Sequence, residues 1–380
     1  MRFLITPDSF KESLSAYEAA VIMERGIKNI IPDAVCDIAP MADGGEGTAE
    51  CLMYALHGRE EKCFVEDPLG RTIQTDYVWV EERQQAVIEV AKACGIALVP
   101  QQQRNPLKTS SYGVGQMILH SLQKGCKELV LTLGGTVTND GGCGMLMALG
   151  AVIKKKDGSP VSRGGQGLEE IDFLDMEKPR ELMRNVKVTV LCDVNCPLLG
   201  KEGATYVFGS QKGVSDGMMP RLEHAMENYA DWLGRASGRK IDELPGAGAA
   251  GGIGAALYAI CEAQFVSGAQ YVMQALELED KVRCCDCVIT GEGSFDSQSL
   301  QGKVPVGIAR LANRYHKPVV VFAGMTKGDN KAFYSEGITA AFSIIRKLDT
   351  LETTLAEAED NLQVSVENFA KVLIMRGTVQ

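Results

Sequence analysis

Apolar residues in this chain come in short runs, and several of those runs end in loops rich in glycine and acids. Phe3, Leu4 and Ile5 form the first run, which stops at Pro7 and predicts a buried strand. Ser15, followed by Glu18, has the spacing of a capping box and predicts a helix start, with Leu14, Tyr17 and Val21 marking one face. "AVCDIAP" (Ala34 to Pro40) predicts the next strand, so the opening of the chain is a β-α-β unit and its sheet is parallel. Asp8 to Ser13 then lie in the loop beyond a strand's carboxyl end.

The arrangement recurs. "CDIAP" leads into "MADGGEGTAE", with Asp43 and Glu46 around glycines; "ELVLTL" leads into "GGTVTNDGGCGM"; "VKVTVL" leads into "CDVNCPLLG"; and "CVIT" leads into "GEGSFDSQSLQGK". In open α/β sheets, ligands bind outside the carboxyl ends of the strands, so these loops mark where a site is expected. Asp and Gly are also ordinary turn residues, and any single loop of this kind has a purely structural reading. Five of them at strand ends favour a site. Near the other end of the chain, Leu351, Leu355, Leu362 and Val366 recur with helical spacing and predict an amphipathic helix over Leu351 to Met375 that covers a sheet.

A length of 380 residues suits two domains, and a formal net charge of -10 argues against nucleic acid or an anionic membrane surface as the main partner. No stretch approaches the roughly 18 uninterrupted apolar residues of a spanning helix, and the opening residues lack an apolar leader core, so a cytoplasmic protein is expected. The twelve cysteines are scattered without paired CxxC units, which suits reduced, buried thiols better than zinc; "RCCDCVIT" is the one dense cluster. Gly246, Gly248 and Gly251 have GxGxxG spacing, but "KIDELP" before them is a poor strand and no acid follows about 20 residues later. A helix start that packs tightly or binds phosphate is the better reading, with Gly248, Gly251 and Gly252 as its candidate contacts. A Walker A motif is absent, because Lys303 is followed by Val304.

The blocks "PDSFKESLSAYEAA", "PMADGGEGTAE", "DPLGR", "NPLKTSSYGVG", "GGTVTNDGGCGMLMALG", "CDVNCPLLG", "FGSQKG", "GAGAAGGIGAAL" and "TGEGSFDSQSLQGKVPVGIA" together resemble the type I glycerate kinases, from the first strand to about residue 324. The resemblance implies phosphorylation of D-glycerate by ATP with Mg2+. It also implies a flavodoxin-like parallel-sheet α/β domain built from both chain ends, an inserted second α/β domain, and an active site in the cleft between them. Asn195 and Cys196 depart from the Asp-Asn expected before Pro197.

Phosphoryl transfer needs a phosphate cradle, charge neutralisation and an acceptor for the hydroxyl proton. Asp193 is the expected base, with Asp8, Lys11 and Lys303 as further catalytic candidates. Ser9, Arg71, Asn139 and Asp140 are the candidate substrate contacts, and Lys212 joins the glycines as a nucleotide contact. Glu292, Asp296 and Asp43 are the candidate Mg2+ ligands, because a hard cation favours carboxylate oxygens. Each lysine has an alternative reading as a surface charge, and Arg71 as a surface ion pair. The crossings between domains are expected near residues 66 and 245, giving 1–66 with 245–380, and 67–244. The partners are D-glycerate and ATP, while the position phosphorylated and the oligomeric state, a homo-oligomer included, are left open. Competing classes are an NAD-dependent hydroxy-acid dehydrogenase and a non-catalytic sugar-acid binding module.

Overall fold

The computed structural model describes residues 1–296, 304–327 and 330–375. Among them the strands are β1 (Arg2–Ile5), β2 (Val35–Ile38), β3 (Arg59–Glu66), β4 (Thr72–Val80), β5 (Gln85–Glu89), β6 (Glu128–Thr132), β7 (Val152–Lys154), β8 (Phe173–Asp175), β9 (Lys187–Leu191), β10 (Gln264–Val266), β11 (Cys287–Phe295), β12 (Val319–Thr326) and β13 (Ala340–Ser343). The chain folds into two compact α/β units, one of 1–43, 50–56 and 269–380, the other of 44–49 and 57–268.

The first unit holds a five-stranded sheet in the order β13-β12-β11-β1-β2, with every pairing parallel. Counted within the unit, this is the flavodoxin-like order, whose direction of winding reverses between β1 and β11. The predicted helix is Ala16–Ile30, and the capping box is present: Glu18 N donates to Ser15 Oγ at 3.2 Å and Ser15 N to Glu18 Oε2 at 2.8 Å. Its core face differs from the expected one. Tyr17 and Val21 are exposed, while Ala16, Ala19, Ala20, Met23 and Ile27 are buried, because small residues let this helix lie close to its neighbours. Tyr17 instead stacks on Tyr54, with ring centroids 5.5 Å apart. A Cβ at Gly26 would stand 3.0 Å from Val366, which shows how near the last helix approaches.

The expected C-terminal helix is two helices, Leu351–Ala356 and Ala358–Met375. Leu351 is exposed, and the seal on the sheet comes from Leu362, Val366 and Ala370. Strand β11 also runs further than its apolar run suggests, through Gly291, Glu292 and Gly293 to Phe295. The glycines allow it: a Cβ at Gly291 would stand 2.3 Å from Phe322 O, and one at Gly324 2.5 Å from Gly293 O. Fully buried side chains such as Phe322 each contribute about 2–3 kcal/mol relative to exposure.

The second unit holds a six-stranded mixed sheet, β10-β9-β6-β5-β4-β3, in which β5, β6, β9 and β10 are parallel and β3 and β4 antiparallel. The carboxyl ends of those four parallel strands therefore share one edge. Strands β7 and β8 pair antiparallel in a separate two-stranded sheet. The boundaries between units fall at 43–44, 49–50, 56–57 and 268–269, against crossings expected near 66 and 245. Strand β3 pairs along its whole length with β4, and Ile241, Ala247 and Ala249 are buried in the second unit's core, so both segments belong there.

All twelve cysteines are free thiols. Burial pushes Cys94 and Cys287 up to about 12 and Cys36 and Cys63 up to about 11. Among the described residues, no helix is long and apolar enough to cross a membrane.

Candidate functional site

In the first unit, the switch between β1 and β11 places Asp8 and Glu292 at the carboxyl end of the sheet. The end of β1 is pinned on both sides: Asp8 N donates to Gly291 O at 2.8 Å and Met41 N donates to Pro7 O at 2.8 Å. Burial and the neighbouring charges of Asp43 and Glu292 raise the Asp8 carboxyl to about 7, against the Ser9 N–H, which donates to Asp8 Oδ1 at 2.6 Å, and the Lys11 ammonium. Asp8, Asp43, Glu292 and Lys11 are thus brought together. Glu292 is only 5% exposed, whereas Lys11 is exposed. Asp296 stands just past β11, where Ser294 Oγ donates to its Oδ2 at 3.3 Å. Lys303 lies outside the described residues.

A carboxyl held near 7 gives a directional prediction. The unfolded carboxyl titrates near ~3.9, so the folded state binds the proton more tightly in between. Stability contributed by protonated Asp8 is full below about pH 4 and lost as pH rises through about 7. Asp8→Asn escapes that loss. Its melting temperature relative to the parent is expected to improve between pH 5 and pH 8 by scanning calorimetry, and an unchanged difference would contradict the crowding of carboxylates.

In the second unit, Asp193 follows β9 and is exposed. Its Oδ1 accepts from Gly268 N at 3.2 Å, at the start of the helix Gly268–Ala275. Asp193, Asn195, Gly246, Phe265 and Ser267 help to line a pocket of about 390 Å³, enough for a small polar ligand.

Other expected site residues are in the interior. Asp140 is fully buried, and its oxygens accept from Ser111 N (2.8 Å), Ser111 Oγ (2.9 Å), Gly142 N (3.2 Å) and Gly144 N (3.2 Å). Burial raises its carboxyl above the usual carboxylate range, and these donors offset that only in part. It ties its own loop to the segment at Ser111. Asn139, equally buried, donates to Thr205 Oγ1 at 3.2 Å. Lys212 is 2% exposed and donates to Thr138 O at 2.7 Å and Thr136 Oγ1 at 3.3 Å; burial lowers it to about 8.

The glycines face protein. A Cβ at Gly248 would stand 2.1 Å from Pro197 O and one at Gly251 2.1 Å from Thr138 O, and Gly251 N-terminal to Gly252 holds the left-handed region at φ +69° and +96° respectively. Tight packing is what this glycine-rich start shows, and with no strand leading into it the dinucleotide reading fails. Arg71 is largely closed into its own turn, donating from Nε to Asp67 Oδ2 at 2.6 Å and from Nη2 to Leu98 O at 3.2 Å, while its side chain stays 56% exposed.

One residue escaped sequence reasoning. Glu89 ends β5 and is 7% exposed, and its Oε1 accepts from Ala49 N at 3.1 Å. The signal was available: it is an acid set in the apolar run Ala86–Ala91.

The sequence profile of the Glycerate kinase family matches residues 3–374. The chain is 41% identical to "Glycerate 2-kinase" of Escherichia coli (strain K12), covering 98% of both chains. It is 42% identical to "Glycerate kinase" of Haemophilus influenzae, covering 99% of this chain and 100% of that one. A crystal structure from Salmonella typhimurium LT2, there assigned as a glycerate kinase 2, superimposes with a TM-score of 0.88 at 42% identity over 100% of both chains.

Proposed function

Because this chain belongs to the glycerate kinase family, we propose that it transfers the γ-phosphoryl group of ATP to the 2-hydroxyl of D-glycerate in the presence of Mg2+. The observation that carries the assignment of roles is the group of Asp8, Asp43 and Glu292 with Lys11 at the switch point, in a chain matched almost end to end by glycerate kinases.

The donor set fits Mg2+. All three groups offer hard oxygens; burial first and like-charge crowding second raise Asp8, and a cation would relieve the crowding. Among the described residues, no three His, Cys, Asp or Glu side chains form a ready cage. Mg2+ needs only one or two carboxylates beside the phosphates of its nucleotide. Asp43 and Glu292 would hold it, with Asp296 as the alternate, and the ion would neutralise charge on the transferring phosphoryl group.

Lys11 neutralises phosphate or the carboxylate of glycerate, and Ser9 sits beside it on the same loop. Arg71 keeps an exposed face for the substrate carboxylate. Asp193 orients the reacting hydroxyl and takes its proton. Asn139, Asp140, Lys212, Gly248, Gly251 and Gly252 pack closely within the second unit, and we assign them to shaping its loops.

Lys11→Ala tests the loop after β1. The side chain is exposed, so the melting temperature should hardly move, while kcat/KM falls at least about tenfold, a loss of roughly 1.4 kcal/mol in transition-state binding. Unchanged kinetics in the folded variant would return this loop to the status of a solvated turn. Thermal shifts separate the reaction classes: ATP with Mg2+ should stabilise the protein, and stabilisation by NAD alone would support a dehydrogenase.

A further inference from the structure

We propose that Glu89 is a positioning residue for phosphoryl transfer, holding the Gly44–Gly47 loop in place beside Asp193; the proposal rests on Asp193 being the base. The chain of contacts lies wholly within the second unit. Glu89 Oε1 accepts from Ala49 N at 3.1 Å, and the Gly47 N–H also turns toward this carboxylate. Thr48 closes the turn from the other side, donating from Oγ1 to Gly45 O at 2.7 Å. Within the loop, Gly44 and Gly47 hold φ at +95° and +85°, a region other residues adopt at a cost. At its far end it meets the proposed base. A Cβ on Gly44 would stand 3.4 Å from Asp193 Oδ2 and 3.1 Å from Gly268 Cα. Asp193 is therefore held on one oxygen by Gly268 N–H and bordered on the other by Gly44.

A buried carboxylate at the start of a helix is an ordinary stabilising cap, here on Thr48–Ala55. What points beyond capping is the address of the capped segment. Glu89 and Asp193 stand at the carboxyl ends of β5 and β9 on one edge of the sheet, and the loop that Glu89 holds borders the carboxylate that must meet a hydroxyl. Small misplacements there are costly, because reactivity depends on alignment at the ångström scale.

A double-mutant cycle on the full-length protein separates positioning from capping. Glu89→Met keeps the volume and removes the acceptor; its kcat should fall at least about tenfold, with KM for ATP and for D-glycerate within about threefold. Glu89→Gln, whose amide oxygen still accepts the N–H, should stay within about threefold of the parent in kcat. In an Asp193→Asn background the Met substitution should cost less than about threefold, because the step that it serves is already lost. An equal loss in both backgrounds overturns the proposal and leaves the base assignment standing. Asp193→Asn with parental turnover overturns both. If the Met variant does not fold, the Gln variant decides: a tenfold loss of kcat at an unchanged melting temperature contradicts an acceptor role, and parental kcat supports it.

Discussion

Asp193→Asn is expected to lower kcat by roughly two orders of magnitude or more while leaving the melting temperature nearly unchanged. The two halves of that expectation have separate causes. Asparagine keeps an oxygen to accept the Gly268 N–H that Asp193 now holds at 3.2 Å, so the turn after β9 survives. What it loses is the capacity to take up the hydroxyl proton as the bond to phosphorus forms. Asp193 is exposed, so the substitution neither strands a buried charge nor opens a cavity. Rapid-quench kinetics at saturating ATP and D-glycerate measure the step itself. A variant that keeps most of its turnover would pass the role of base to Asp8, whose carboxyl near 7 is already poised for proton transfer at neutral pH.

Gly251→Ala should act in the opposite way, on stability with little effect on chemistry. Its Cβ would lie 2.1 Å from Thr138 O, and the backbone sits at φ +69°. Left-handed strain of about 1–2 kcal/mol and overpacking of about 1–3 kcal/mol together predict a loss of roughly 2–5 kcal/mol. For a chain of this size that is a fall of roughly four to ten degrees in melting temperature. Folded molecules should keep the parental KM for ATP. An unchanged melting temperature with a raised KM for ATP would show that this glycine faces nucleotide after all.

Local rules were legible in the sequence where one residue's chemistry settled one conformation. Ser15 and Glu18 set the helix start, and each apolar run that ended in glycine and acid became a strand, β11 running on through its glycines to Phe295. Asp8, Asp43 and Glu292 stood out that way as candidates, although they sit far apart in sequence. The boundaries were harder because β3, "REEKCFVE", is mostly charged: only Cys63 and Val65 face the core, and an edge strand with so few apolar positions reads as a loop. Strand β11 was cut short for a related reason, since glycine usually ends a strand and here allows two backbones to approach. Burial was the hidden variable for Asp140 and Lys212. Polar residues in a glycine-rich loop read as surface ligands, and nothing local shows that Ser111 or Thr138 will come from elsewhere in the chain to satisfy them.

The central claim is transfer of phosphate from ATP to the 2-hydroxyl of D-glycerate, and phosphorus NMR of the product tests it most directly. Incubation with ATP, Mg2+ and D-glycerate should give ADP and one new phosphate ester. Its resonance should be split by the single proton on carbon 2, and none should form when D-glycerate is omitted. A resonance split by the two protons on carbon 3 would place the phosphate on the 3-hydroxyl and contradict the proposed position. Absence of any new ester, with ATP intact, would contradict the reaction itself.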